Sequence, residues 1–179
     1  MDKLFRYIRK LKIKIFSILY TNYLKMRGCK IGHNVIFLGK LEIRGSAKNI
    51  SIGSRSRIQK NVCFNTMLYE NKWGEINIGE KCLIGDGTIV SSAKKIEVGN
   101  KTEIAAYSYL VDHDHETIHS AFKVAPIILK RCVWLGTKTT VLKGVILEDD
   151  CVVGAGSIVT KSFNKRTIIL GEAAKSFKN

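Results

Sequence analysis

Residues 129–161 read LKRCVWLGTKTTVLKGVILEDDCVVGAGSIVTK, and every sixth position is aliphatic: Leu129, Leu135, Val141, Leu147, Val153 and Val159. Four residues after each of the first five stand Val133, Thr139, Val145, Cys151 and Ser157, all small or β-branched. Glycine follows the aliphatic at Gly136 and Gly154. The same phase holds upstream at Ile78, Ile84 and Val90, with Gly79 and Gly85. After a two-residue slip it resumes at Val98, Ile104 and Leu110. Weaker traces run through Ile52, Ile58 and Phe64, and through Ile31, Phe37 and Ile43. A period of six belongs neither to a helix nor to a simple strand. It requires a chain that turns a corner every six residues and points one aliphatic inward per segment, with a small residue near each corner. Glycine there serves either an unusual dihedral or a close approach of backbones. Three segments close a triangular coil, and stacked coils pair as short parallel strands around a continuous core. The pattern predicts an all-β fold, a parallel β-helix. At roughly eighteen residues per coil it holds about six to seven coils, a prism on the order of 30 Å long.

The remaining composition fits this reading. At 179 residues, one domain with a short appendage is expected. Hydrophobic residues make up 45% and charged residues 25%, a globular rather than a disordered balance. The stretch from Ile13 to Leu24 is too short, and too interrupted by Lys14 and Asn22, for a membrane-crossing helix. No small-residue cleavage site follows it, which reads against a signal peptide. Five cysteines (Cys29, Cys63, Cys82, Cys132 and Cys151) are an odd number with no CxxC pair. They argue against a disulfide framework and a zinc ribbon, and for buried free thiols in a reducing cytoplasm. Thirty basic residues against fifteen acidic give a net charge of +15, which calls for an anionic partner. Nine of those bases and a single acid fall in residues 1–30. No nucleic-acid-binding motif accompanies the charge, so nucleic acid is not the expected partner.

Three further stretches narrow the family. They are Val133-Trp134-Leu135-Gly136, Val141-Leu142-Lys143-Gly144-Val145, and Val153-Gly154-Ala155-Gly156-Ser157 continuing to Lys161. A fourth, Asp112-His113-Asp114-His115, opens an irregular loop at 112–127. Together they resemble the hexapeptide-repeat acyltransferases, in particular the galactoside, maltose and polysaccharide O-acetyltransferases. The resemblance covers residues 28–175 and implies a left-handed coil. The chain departs from the family at Lys130 and Glu148, where glycine is frequent. It also departs in the tail Gly171-Glu172-Ala173-Ala174-Lys175, which lacks the family's proline.

Acyl transfer from a thioester to a hydroxyl needs a base, an oxyanion donor and two substrates held within reach of each other. Histidine is the natural base near neutral pH, and the chain has only His33, His113, His115 and His119. His113 and His115 sit where the repeat breaks, in a loop beside a rigid scaffold. The resemblance places the general base at His113, with His115 as the fallback base or an acceptor contact. Asp112 and Asp114 are placed to orient an imidazole. The alternatives for this cluster are a solvated turn and a His-x-His metal site, but no metal is expected. The resemblance further implies acetyl-CoA as acyl donor, no metal, and active sites between subunits of a homotrimer. Gly136 and Thr137 are its candidate N–H donors to the thioester or oxyanion, and Gly154, Ala155 and Gly156 its side-chain-poor strip for the pantetheine arm. Lys143, Lys161, Lys165, Arg166 and Lys175 are candidates for the coenzyme phosphates, taken as a cluster on the C-terminal coils. Trp134 is either a wall of the acceptor pocket or a subunit contact, and Asn65 a substrate-binding residue.

Residues 1–27 read as a basic amphipathic helix, with Leu4, Ile8, Leu11, Ile15, Ile18 and Leu19 at helical spacing. Such a helix either lies on an anionic membrane or packs on the β-helix or across the trimer. The expectation is a cytoplasmic acetyl-CoA-dependent O-acetyltransferase, peripheral to the inner face of the membrane if the helix docks there. Its acceptor is a sugar, nucleotide sugar or lipid-linked glycan of cell-surface polysaccharide synthesis. An N-acyltransferase on an amino sugar and a non-catalytic β-helical scaffold are the alternatives. The domain division is 1–27 for the helix and 28–179 for the repeat.

Overall fold

The structure, a computed structural model, describes residues 3–114, 123–172 and 175–177. The aliphatics of the six-residue pattern point inward and stack on their counterparts in the next coil. On the first face the register runs Ile31, Ile52, Ile78, Val98, Leu129, Leu147. The second runs Phe37, Ile58, Ile84, Ile104, Leu135, Val153, Ile169. The third runs Ile43, Phe64, Val90, Leu110, Val141, Val159. All are buried except Ile43, which is partly so. The chain visits the faces in rotation, giving three mostly parallel sheets of six, eight and six strands. Thr139, Cys151 and Ser157 are buried at the corners. Thr139 Oγ1 donates to the Gly136 carbonyl at 2.7 Å, so a small hydroxyl fills the corner and satisfies its backbone.

The glycines after the inward aliphatics serve close approach. The N–H groups of Gly53, Gly79 and Gly99 donate to Ile78, Val98 and Leu129 in the next coil, each at 2.7 Å. A Cβ on Gly99 would lie 2.5 Å from the backbone of Lys130. The left-handed corner positions are mostly taken by other residues: Arg55, Lys81, Lys101, Cys132, Asp150 and Arg166 at one corner, Tyr107 and Lys138 at the next. Four of the five cysteines are buried, and Cys132 is partly exposed at its corner.

Both ends of the solenoid are covered. The helix α1 (Lys3–Met26) closes with Gly28 at φ +102, the Gly28 and Cys29 N–H groups donating to Lys25 and Leu24. It packs on the first coil through Phe16, Ser17, Tyr20 and Leu24. The Phe37 N–H donates to Ser17 Oγ at 3.0 Å, and the Tyr20 hydroxyl both accepts from the Leu41 N–H and donates to its carbonyl, each at 3.0 Å. These side chains occupy backbone groups that a missing coil would otherwise pair. The apolar stripe read from the sequence is on the other side of the helix and does not pack on the prism: Ile8, Leu11, Ile15, Ile18 and Leu19 are all exposed. At the far end Lys175–Phe177 pairs antiparallel with Ile168–Leu170.

The two roles of glycine predict different costs. Gly99→Ala forces a methyl into backbone held at hydrogen-bonding distance and is expected to cost about 2–3 kcal/mol. Gly156 has φ +72 and nothing within 4 Å of an added Cβ, so Gly156→Ala costs only about 1 kcal/mol of dihedral strain. Thermal unfolding of the two variants distinguishes them, and equal losses would refute the close-approach account.

Candidate active site

Every large departure from the six-residue step falls at the corner the chain turns on leaving the third face. Along the chain, Ile43 and Ile52 are nine residues apart, Phe64 and Ile78 fourteen, Val90 and Val98 eight, Leu110 and Leu129 nineteen. The extra residues hold a 3-10 turn at Ala47–Asn49, an antiparallel hairpin of Leu68–Tyr69 with Lys72–Trp73, the turn at 93–94, and the stretch after Val111. Stacked along one edge, they border a cleft of about 520 Å³ lined by Asn49, Tyr69, Lys72, Trp73, Lys94 and Val124 among others. All four insertions contribute to it.

Asp112 and His113 lie beside this cleft, immediately after the strand Tyr109–Val111. Both are buried, Asp112 fully and His113 at 4% exposure. The Asp112 carboxylate accepts from the backbone N–H groups of Ala93, Lys94 and Lys95 at 2.7–2.9 Å and from the Ser92 hydroxyl at 2.8 Å. His113 Nδ1 lies 3.0 Å from the same carboxylate. A carboxylate can only accept, so Nδ1 carries the proton and a neutral His113 has its basic lone pair on Nε2. Burial pushes the Asp112 carboxyl up, but the hydrogen bonds from His113, Ala93, Lys94 and Ser92 outweigh it and hold the group below its ordinary value. The next insertion is fastened at its neck. His113 bridges Val124, the Ala125 N–H donates to the Asp112 carbonyl, and the Asp114 N–H to Lys123. Lys143, one coil on, pairs with Asp114 at 2.7 Å.

Asn65 comes to the same edge. It stacks in register with Ser91 and Val111, and its Nδ2 donates to Ser91 Oγ at 3.0 Å, one residue from the Ser92 that serves Asp112. His115 and His119 lie outside the described residues. His33 is on another corner, with Nδ1 at 2.9 Å from Ser54 Oγ.

The other predicted residues are not brought to His113 within one chain. Gly136, Thr137, Gly154 and Ala155 are on the corner between the second and third faces, and Trp134 is 55% exposed on the second face. The Gly136 N–H donates to Val153 at 2.8 Å and the Gly154 N–H to Ile169 at 2.9 Å. Gly136 therefore cannot supply the expected donor, because the inter-coil ladder already holds that N–H. Gly154 is not an open strip either, since a Cβ there would meet Leu170. Thr137, Ala155 and Gly156 are exposed at this corner. The cationic residues do not form one cluster. Lys161 is on the third corner over the Phe163 ring, at 5.7 Å, whereas Arg166 is on the first corner facing Asp150 at 3.9 Å. Of Lys175 the structure describes the backbone strand alone. Among the described residues no group of three or more His, Cys, Asp or Glu side chains is placed to hold a metal. Sequence reasoning missed the hairpin that carries Tyr69, Lys72 and Trp73; its signal was the long gap from Phe64 to Ile78.

Comparison with known proteins places this geometry. The sequence model described as "Hexapeptide repeat of succinyl-transferase" matches residues 130–161. A putative colanic acid biosynthesis acetyltransferase, WcaF of Escherichia coli K12, is 30% identical over 121 residues, 66% of each chain. A putative lipopolysaccharide biosynthesis O-acetyl transferase of the same strain, WbbJ, is 30% identical over 119 residues, 59% of this chain and 61% of that one. A probable acetyltransferase of Mycobacterium tuberculosis is 26% identical over 113 residues, 59% of this chain. The chain spans 38% to 66% of the length of these relatives. Among solved structures, AntD, an N-acyltransferase from Bacillus cereus in complex with dTDP and 3-hydroxybutyryl-CoA, superposes with a TM-score of 0.76 at 23% identity. That match covers 88% of this chain and 87% of that one, and the likeness is one of fold. The repeat match, these relatives and the rungs of the three faces agree: the chain belongs to the hexapeptide-repeat acyltransferases.

Proposed function

We propose that the chain is an acetyl-CoA-dependent O-acetyltransferase acting on a hydroxyl of a sugar or of a cell-surface polysaccharide precursor. The observation that carries this reading is the buried Asp112–His113 pair beside a cleft built from four insertions at one edge. The names of the relatives support the acetyl donor and the glycan acceptor. With this reading go the finer features of the fold, a left-handed winding and about six to seven coils, supported by the six rungs on the first and third faces.

In the proposed reaction the acyl donor supplies a thioester carbonyl. His113 Nε2 takes the proton of the acceptor hydroxyl, whose oxygen attacks that carbonyl directly. Asp112 fixes the imidazole tautomer and stabilises the imidazolium, which then returns its proton to the departing sulfur. A base held this way contributes ~10²–10⁴ in rate. Thr137, exposed beside Gly136, takes over as the candidate N–H donor to the oxyanion. In the cleft, Trp73 and Tyr69 offer ring faces to a sugar, and Lys72, Lys94, Glu70 and Glu75 offer charged partners to its hydroxyls and substituents. His113 on one edge and Trp134, Thr137 and Ala155 on another complete a site only when two copies meet, which is the basis for proposing a homotrimer with its sites between neighbouring prisms. The fold likeness to AntD favours a second reading, N-acyl transfer to an amino sugar, that uses the same base and cleft.

Acetyl-CoA turnover, read as free thiol, against sugars, amino sugars and nucleotide sugars tests both. Acceptor-dependent release is expected, falling by ~10²–10⁴ in His113→Ala. Survival in His113→Ala with loss in His115→Ala would move the base by two residues. No release, together with no coenzyme A binding by calorimetry, would leave a non-catalytic scaffold.

Asp112 gives a separate prediction. In Asp112→Asn the amide must turn its NH₂ toward groups that are themselves donors, at a cost of about 1–3 kcal/mol for each bond lost. A carboxyl whose pKa is lowered by folding stabilises the native state fully above its unfolded value of about 3.9, and this stabilisation is lost as pH falls through the lower folded value. Wild-type melting temperature should therefore drop on acidification below about pH 4, and Asp112→Asn should be less stable at pH 7 with a shallower acid limb. Parallel acid limbs in the two proteins would remove Asp112 from this account.

A further inference from the structure

The helix α1 has two apolar faces, and the prism uses one. At about 100° per residue, Phe16, Ser17, Tyr20 and Leu24 group on one side of α1, and this side packs on the first coil. Ile8, Leu11, Ile15, Ile18 and Leu19 group on the opposite side, at 41–65% exposure. Between the two faces stand Lys3, Lys10 and Lys14 on one flank and Lys12 on the other, Arg6 and Arg9 continue the packed side toward the start of the helix, and α1 contains no acidic residue. Phe5 and Tyr7 add exposed rings near its start. No described helix is long and apolar enough to cross a membrane.

We propose that α1 docks the protein flat onto an anionic phospholipid bilayer. The Ile8–Leu19 stripe enters the acyl boundary, and the flanking lysines meet lipid phosphates. Charge complementarity selects this occupant. A second copy meeting this stripe with its own would bring two acid-free basic helices side by side, and their like charges repel. A lone phosphate or a polyanion answers the charge but leaves the apolar stripe in water. A bilayer with anionic headgroups answers both at once. The aromatic rings near the start of the helix suit the headgroup level. The opposite face, held by Ser17 and Tyr20, fixes the helix to the first coil, so docking sets the orientation of the whole prism on the surface.

Flotation of the full chain with vesicles tests this. Wild type is expected to float with phosphatidylcholine–phosphatidylglycerol vesicles, to stay behind with phosphatidylcholine alone, and to detach as salt rises. The double substitution Leu11→Glu with Ile15→Glu touches only the outward stripe and should weaken flotation at least about tenfold. Its melting temperature and its sedimentation coefficient without lipid should match wild type. Lys12→Glu with Lys14→Glu reverses the charge on both flanks while keeping the stripe and should also abolish flotation. Removing the helix would be uninformative, because Ser17 and Tyr20 seal the first coil. Absence of wild-type flotation, equal flotation on both vesicle types, or flotation undiminished in the Leu11/Ile15 variant would each overturn the proposal. A smaller sedimenting species in that variant would overturn it too, by assigning the stripe to a contact between copies.

Discussion

The bond from a backbone N–H in one coil to a carbonyl in the next governs this molecule. On the first face it runs Gly32 to Ile52, Gly53 to Ile78, Gly79 to Val98 and Gly99 to Leu129, at 2.7–2.8 Å throughout. Strands held this closely leave no room for a Cβ directed along the stacking axis, and the glycines follow from that. The same spacing stacks each inward aliphatic on its counterpart and turns a six-residue motif into a continuous core. The ladder also decides which corners can vary. At the first corner the Arg55, Lys81, Lys101, Cys132, Asp150 and Arg166 N–H groups bond to His33, Ser54, Glu80, Asn100, Arg131 and Asp149 of the preceding coil. At the second, Gly87, Tyr107, Lys138 and Gly156 do the same. An insertion at either corner would break such a stitch in both neighbouring coils. The third corner lacks that stitching over most of its length, and the extra residues collect there.

The candidate site grows from this asymmetry. Where the third corner is widened, its backbone loses the partner that the ladder supplies elsewhere. The Asp112 carboxylate takes that place for one widened turn by accepting the N–H groups of Ala93, Lys94 and Lys95. Its position is thus fixed by the needs of the fold, and the imidazole it holds is fixed with it. The hydrogen bonds from His113, Ala93, Lys94 and Ser92 hold the carboxyl below its ordinary value despite its burial, so it can stabilise a positive charge on His113. A stable fold and an oriented base draw on the same hydrogen bonds.

The stacking register was legible in the sequence because one inward aliphatic per segment is a strong constraint, and the series from Ile31 to Val159 appears rung by rung in the three faces. The purpose of the glycines was only half legible: a period reveals where they fall, but whether they serve a dihedral or a close approach depends on the neighbouring coil. Lysine, arginine and aspartate at the left-handed corners carried no signal, since their strain is offset by the stitch each makes. The hairpin bearing Trp73 was visible only as an over-long gap, because it lies outside the repeat and its two short strands are too brief for a pattern. Gly136 was misread for a related reason. Its position in the motif is clear from the sequence, but its N–H is claimed by a residue seventeen positions further along, visible only once the coils are stacked.

The two ends of the solenoid face a problem that the middle does not. A terminal coil exposes a row of N–H and C=O groups that would template another strand. At the C-terminal side an antiparallel strand covers that edge on the second face. At the N-terminal side the cap is a helix, and it meets the coil with the hydroxyls of Ser17 and Tyr20 in place of backbone. A helix satisfies its own backbone, so capping with one ends the propagation of pairing. It also presents a far side that the core makes no demand on. The composition of that far side is therefore free to answer a different need. Large aliphatics flanked by bases and rings, with no acid among them, are a costly choice for a surface that meets water alone, and this cost makes the outward face of α1 informative.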